Sequence, residues 1–316
     1  MVAPRAEQAR ARRLAAAAIP VRRRIDLGPD ALLGYALLSP AALYMLGLVG
    51  YPFVLALYFS VSTVTVAAGP SHFVGLANFA SLLDDPVFQR GLLNSLIFTS
   101  VSEAAKSILG IGLAFLLLRN LPGKKVIRGF LMLPWTLPIS LSVLGWKWMF
   151  DPQFSVINYL GNQLGLLHNW NPDWLGDPTY AFLAVLVTNI WRGFPFAAVV
   201  VLAGLTSIPQ DIFDAAKVDG AGFFTRWHYI ITPMIAPILF IGMIFDVVFT
   251  LGDLTIVHLL TNGGPVNATD ILPTLAFRNG ILGGDLARGA ATALFLFPVL
   301  FAGVIVFLRI LRRREV

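Results

Sequence analysis

Cysteine is absent and charged side chains are scarce, at 13% of 316 residues against ~25% in a soluble domain. The first absence excludes a disulfide scaffold, thiol redox chemistry and any cysteine-ligated metal. The second excludes a water-soluble globule, because so few polar side chains cannot cover a core of this size. Catalytic patterns are missing as well. There is no Gly-x-x-x-x-Gly-Lys-Ser/Thr phosphate loop and no Gly-x-Ser-x-Gly elbow. The four histidines, His72, His168, His228 and His258, lack metal-ligand spacing. No catalytic residue, metal or cofactor is therefore expected on this chain, and it is not expected to be an enzyme.

What is present is apolar: 57% of residues are hydrophobic, and the excess must face lipid. No Asp, Glu, Lys or Arg lies between Asp30 and Asp84. A helix needs ~20 apolar residues to cross the hydrocarbon, which predicts a first span over 31–60. Further spans are predicted over 92–118, 129–150, 180–205, 233–256 and 289–308, an all-α integral membrane protein of six helices. The runs are too long and too unlike a period of two for a β-barrel. The first is too long, and lacks a following small-residue site, for a cleaved leader.

Charge sets the orientation. Arg5, Arg10, Arg12, Arg13, Arg22, Arg23 and Arg24 precede the first span. Arg119, Lys124, Lys125 and Arg128 follow the second, Lys217 and Arg226 follow the fourth, and Arg309, Arg312, Arg313 and Arg314 follow the last. Only Arg90, Arg278 and Arg288 fall on the opposite side. The Lys/Arg-rich side is cytoplasmic, so both termini are expected inside, and the net charge of +6 reflects topology and lipid contact rather than nucleic acid. Residues 1–30 read as a basic cytoplasmic arm, 31–311 as one transmembrane domain, and 312–316 as a tail. Segments 61–90, 151–179 and 257–288, rich in Pro, Gly, Asn and Asp, read as wet outer loops.

The cytoplasmic segment 206–232 stands out. Ser207, Pro209 and Asp211 make a helix start, Ile212, Ala215, Ala216 and Val218 or Asp219 repeat at helical spacing, and Gly220 and Gly222 end the helix. A second short helix with Phe223, Phe224, Trp227 and Ile230 should lead into Pro233, which opens the fifth span. Ala215, Ala216 and Gly220 would allow close approach of a partner. A plain interfacial helix is equally compatible with the composition.

Asp214-Ala215-Ala216, Gly220, Ile230 and Pro233 resemble the EAA loop of ATP-binding-cassette (ABC) importer permeases. That pattern is Glu-Ala-Ala, three residues, Gly, nine residues, Ile-x-Leu-Pro. The spacing is complete; Asp214 stands for Glu and Thr232 for Leu. Further segments narrow the resemblance to MalF-like sugar permeases: Ser39-Pro40-Ala41, Tyr51-Pro52, 73–79 with Asn94-Ser95, Leu133-Pro134-Trp135 with Pro138, 146–152, Trp191-Arg192 with Pro195-Phe196, and Thr261 to Pro265.

The resemblance implies the type I ABC importer (MetI/MalF-like) fold in a bacterial or archaeal cytoplasmic membrane. It also implies a MalG-like second permease, two copies of a cytosolic ABC ATPase that bind ATP and Mg, and an extracytoplasmic sugar-binding protein. Asp214, Ala215, Ala216, Asp219, Gly220, Ile230 and Pro233 would then couple to the ATPase. Asn262, Gly263, Gly264 and Pro265 would form a contact loop for the binding protein.

Charges within the spans need partners or water, since a lone charge at mid-bilayer costs ~2.5–3.5 kcal/mol. Glu103 and Lys106, at i and i+3, are expected as a self-contained pair. Arg192 has no local acid. It suits Asp246 or Asp253, or the hydroxyls of a sugar, so a structural pairing and a translocation pathway with Trp135 and Trp191 both stand open. With no Lys/Arg cluster facing a cavity, a neutral di- or oligosaccharide is favoured, while a monosaccharide, polyol or glycerol phosphate stays open. The competing expectation is an ion-coupled secondary carrier using Asp246 and Glu103 as proton sites. Such carriers often show inverted repeats, and none is evident.

Overall fold

The computed structural model describes residues 29–66, 71–119, 122–168 and 170–312. Residues 1–28 of the expected basic arm, Arg313, Arg314 and the rest of the expected tail after Arg312 lie outside the described residues, while Pro29 and Asp30 already belong to the first helix. The chain divides into two units, 1–54 and 55–316. In the first, α1 (Pro29–Met45) carries no buried side chain over its described part and continues through a π-turn at Leu46–Gly50 into α2 (Tyr51–Ser60), most of which belongs to the second unit. An all-round apolar helix of this kind suits lipid.

In the second unit, β1 (Ser62–Thr63) and β2 (His72–Phe73) form a small antiparallel hairpin, followed by α3 (Ala77–Leu83). The long α4 (Pro86–Leu118) starts at Asp85, whose carboxylate accepts from Val87 N at 2.8 Å, with Pro86 in the first turn. After α5 (Lys124–Thr136), α6 (Ile139–Met149) and α7 (Val156–Gln163), a second long helix, α8 (Pro178–Ser207), opens in the same way on Asp177. Then come α9 (Gln210–Val218), α10 (Phe223–Arg226), a π-turn at Trp227–Ile231 and α11 (Thr232–Leu251). Short helices α12 (Leu254–Leu260) and α13 (Leu272–Phe277) precede a π-turn at Arg278–Leu282, α14 (Leu286–Leu294) and α15 (Leu296–Arg312).

Helices α4, α8 and α11 form the frame. A Cβ on Gly110 would sit 2.7 Å from Ala197 Cβ, so α4 and α8 meet almost backbone to backbone, as small residues permit in membranes. Phe98, Val143, Val185, Ile256 and Leu260 are buried together at one end. Ala114, Val201, Leu205, Ile231 and Ile235 are buried at the other, beneath α9.

Three expectations need refinement. Among the described residues five helices are long and apolar enough to span a bilayer, and a sixth crossing is reached if a bent pair counts as one span: the predicted third span is broken into two helices, 125–136 and 139–149, that meet at 91°. Leu137, preceding Pro138, is extended with ψ 144°, because the proline ring disfavours the helical region for the residue before it. The predicted short helix before Pro233 is not separate: an apolar helix runs from Phe223 to Leu251. Gly252 and Asp253 then end it before residue 256, with Asp253 capping α12 through Ile256 N at 3.1 Å. Finally, segment 257–288 is not a wet loop. Val257, Leu260, Thr269, Ile271, Leu272 and Leu275 are all buried, because polar side chains of α4 satisfy its backbone.

Candidate functional site

Helix α9 presents two faces. Ile212, Phe213 and Ala216 pack toward the bundle, while Asp214, Ala215, Lys217, Val218, Asp219 and Gly220 are exposed. Ala216, expected on the partner-facing side with Ala215, is buried: one residue is a 100° turn of the helix, enough to carry it off the exposed arc and onto the bundle. Val218 is 88% exposed beside Ala215, an apolar side chain that core packing does not explain. Spacing alone had left it interchangeable with Asp219.

Asp214 pairs with Lys217 at 2.8 Å and accepts from Gln210 at 3.3 Å. These two hydrogen bonds, Lys217 first, hold its carboxyl below the usual carboxylate value, so the face keeps an acidic group at neutral pH. Gly220 takes φ +72°, its N–H bonds Lys217 O at 3.0 Å, and Ala221 N bonds Ala216 O at 2.9 Å. This is a left-handed C-terminal cap, and it explains why glycine stands four residues after Ala216.

The helix behind is anchored by aromatics. Phe115 of α4 meets Phe223 and Trp227 edge-on at 5.3 and 5.5 Å, whereas Phe224 is 83% exposed. Ile230 is half-buried and Pro233 lies at the surface of the continuing helix.

The charges inside the frame form one network, not an isolated pair. Lys106 Nζ reaches Glu103 Oε1 at 2.9 Å, Asp246 Oδ1 at 3.3 Å and Thr250 Oγ1 at 2.7 Å. Thr250 Oγ1 in turn donates to Glu103 Oε1 at 2.9 Å. Glu103, Lys106, Asp246 and Thr250 are each 6% exposed or less. The lysine stem crosses α8 at Gly193, where a Cβ would come within 2.6 Å of Lys106 Cε. The cluster therefore ties α4, α8 and α11 together, and the expected self-containment of Glu103–Lys106 is overturned. The tertiary fold sets Asp246 and Thr250, one helical turn apart, opposite the pair. Thr250 and Gly193 had carried no sequence signal beyond the helical spacing to Asp246 and the adjacency to Arg192.

Glu103 and Asp246 line a small cleft of ≈ 80 Å³ with Ser107, Phe196, Gly242 and Met243. Lys106 lies behind them. Phe196 stacks on Trp135 at 4.8 Å, and the Arg192 guanidinium lies 5.4 Å from the same indole. Arg192 does not pair with Asp246. Asp253 instead accepts a hydrogen bond from Asn189 at 3.3 Å. Arg192 Nε and Asn189 Oδ1 are buried without a hydrogen-bond partner among the described residues, which marks this face of α8 as unsatisfied. Trp191 packs edge-on to Trp146 at 5.5 Å.

The segment with Asn262, Gly263, Gly264 and Pro265 is clamped rather than free. Asn94 of α4 donates to Ala268 O at 2.9 Å and Asp270 O at 3.0 Å, and Leu272 N donates to Ser95 Oγ at 2.8 Å. Arg278 pairs with buried Asp270 at 2.8 Å. Asn262 and Val266 remain exposed.

The family model for binding-protein-dependent transport system inner membrane components matches residues 106–315. The chain is 34% identical over 296 residues to the sulfoquinovosyl glycerol transport system permease protein SmoG of Agrobacterium fabrum, covering 93% of this chain and 94% of that one. It is 32% identical to the trehalose/maltose transport system permease protein MalF of Thermococcus litoralis, over 90% and 96% of the two chains. A bacterial ABC transporter that imports the acidic polysaccharide alginate superposes with TM-score 0.76 at 22% identity, over 92% of this chain and 98% of that one. The methionine ABC transporter MetNI superposes with TM-score 0.54 at 16% identity, over 75% and 98%.

Proposed function

This chain belongs to the family of binding-protein-dependent transport system inner membrane components, and from that premise we propose how its parts divide the work of solute import. It is a multi-pass permease of the MalF-like type in an ABC importer for sugars. The ATP-hydrolysing chemistry resides on separate subunits, two copies of a cytosolic ATPase binding ATP and Mg. A MalG-like second permease completes the membrane pathway. An extracytoplasmic binding protein delivers the solute, meeting the 262–266 segment, and both termini of this chain are cytoplasmic.

The exposed face of α9 carries this reading. Asp214, Ala215, Val218, Asp219 and Gly220 form a small, partly acidic knuckle on a helix whose other face is seated on the bundle. Closure of the ATPases pushes this knuckle. The push passes into the helix from Phe223 to Leu251, which bears Asp246 and Thr250 on the Lys106 network. A rigid helix that shifts by a turn fraction would re-aim the cleft lined by Glu103 and Asp246, which is alternating access at the level of one subunit. The unsatisfied Arg192 and Asn189, with Trp135 and Phe196, supply donors, acceptors and aromatic faces of the kind that sugar hydroxyls and ring faces need. Asp253, as a helix cap, holds this wall in place, and Trp191 buttresses it through Trp146.

The cleft itself is lined by Glu103 and Asp246, and among the described residues Arg192 is a lone cation on the wall beside it, a balance that favours a neutral di- or oligosaccharide over an anionic one. The relatives named for sulfoquinovosyl glycerol and for alginate would differ in this respect. The test is uptake in inside-out-controlled vesicles with the full transporter. Transport should need ATP, survive an uncoupler, and fail together with ATPase stimulation in Asp214→Lys while membrane insertion is unchanged. Uptake abolished by the uncoupler would revive an ion-coupled carrier, and normal uptake in Asp214→Lys would remove α9 from the coupling path.

A further inference from the structure

A second concavity lies away from the cleft, along the last turns of α4. Ile108, Gly112, Phe115 and Arg119 line one wall, and Phe223 and Trp227 the other. The Phe115 edge contacts to both aromatics make a fixed floor. The groove is open, has a volume of ≈ 770 Å³, and has no carboxylate among its lining residues.

Its length and its one charged end argue for a specific occupant. From Ile108 to Arg119 the helix rises ~16 Å, close to the ~15 Å hydrocarbon depth of a single leaflet. The deep end is apolar. At the shallow end stands the exposed Arg119, and two residues before it the carbonyl of Leu117 accepts from Arg128 Nη2 at 3.4 Å. Trp227 on the other wall brings an indole, a side chain that favours the boundary between hydrocarbon and headgroups.

We propose that this groove is a binding site for one acyl chain of an anionic phospholipid, with the headgroup phosphate held by Arg119. The guanidinium fork suits phosphate oxygens, and basic pockets between helices on the cytoplasmic side attract anionic headgroups. The leaflet follows from the orientation proposed above; the site itself rests on the groove and its charge. The lipid would wedge between α4 and the aromatic anchor of the coupling helix, at the point where a push on α9 enters the bundle.

The test uses the assembled transporter purified in detergent and exposed to equimolar dioleoyl phosphatidylglycerol and dioleoyl phosphatidylcholine, with bound lipid read by native mass spectrometry. The wild type should retain phosphatidylglycerol over phosphatidylcholine by about fivefold, the scale of one cation near an anionic headgroup. Arg119→Gln should bring the two lipids toward parity. Gly112→Leu should expel both, because a side chain there meets no protein atom within 4 Å and fills the groove without disturbing the helix. Equal retention of the two lipids by the wild type overturns the proposal without any variant being needed. So does retention unchanged in Gly112→Leu, or a groove found crosslinked to another subunit instead of lipid.

Discussion

Replacing Lys106 by Met keeps the stem that crosses Gly193 but removes the ammonium shared by Glu103, Asp246 and Thr250. Two buried carboxylates are then left facing each other. In soluble proteins, removing one partner of a buried ion pair costs ~3–5 kcal/mol. Polar contacts between membrane helices average only ~0.6 kcal/mol, with a maximum near ~1.7. The higher range should dominate here, because Lys106 serves three acceptors at 1% exposure and its loss leaves repulsion as well as a missing bond. A loss of about 3 kcal/mol is expected. At ~2 °C per kcal/mol for a chain of this size, the melting transition followed by tryptophan fluorescence in nanodiscs should fall by ~6 °C, compared at one scan rate because such unfolding is often irreversible. The decisive comparison is the uncharged set Lys106→Met, Glu103→Gln and Asp246→Asn together, which removes the repulsion and should recover most of the loss. A single Lys106→Met variant that melts within 1–2 °C of wild type, or a triple variant as unstable as the single one, would refute the view that this network holds the three helices.

Other expectations follow from the same geometry. Gly193→Ala places a methyl within 2.6 Å of Lys106 Cε and should cost ~1–3 kcal/mol as overpacking, with the loss suppressed when Lys106 is shortened to Ala in the same chain. Gly220→Val must hold a β-branched residue at φ +72°, costing ~1–2 kcal/mol locally; ATPase stimulation by loaded binding protein should drop while the main melting transition stays put. Val218→Asp changes an exposed side chain, so stability should be unchanged within ~0.5 kcal/mol while coupled ATPase activity falls; retained coupling would exclude Val218 from the docking face. Asn94→Ala leaves the carbonyls of Ala268 and Asp270 without their donor, at ~1–3 kcal/mol, and hydrogen exchange at Thr269 to Leu272 should quicken selectively.

Much of the coupling element was legible because its signals are local. Gly220 four residues after Ala216 encodes a left-handed cap, and Asp211 with Pro209 encodes a helix start, whatever surrounds them. The bend at Leu137-Pro138 was equally local in cause, yet hydropathy averaged across it and returned one straight span. Ala216 was misplaced because spacing gives the angle between side chains but not which arc of the helix meets the bundle. Segment 257–288 was misread for a related reason. Its turn residues do form turns, but the hydrogen-bonding groups that let it bury, Asn94 and Ser95, lie on α4 more than 170 residues earlier.

The amino-acid sequence alone determined that this chain lives in a bilayer, about where it crosses, and that a capped, small-residue helix interrupts the spans, because hydropathy, charge bias and capping act within a turn or two of chain. Which charges share a site was decided only by the tertiary structure. Lys106 finds Glu103 through helical spacing, but it finds Asp246 and Thr250 only because Gly193 and Gly110 let three helices approach closely enough for one ammonium to reach across, and no pattern along the chain records a distance between helices.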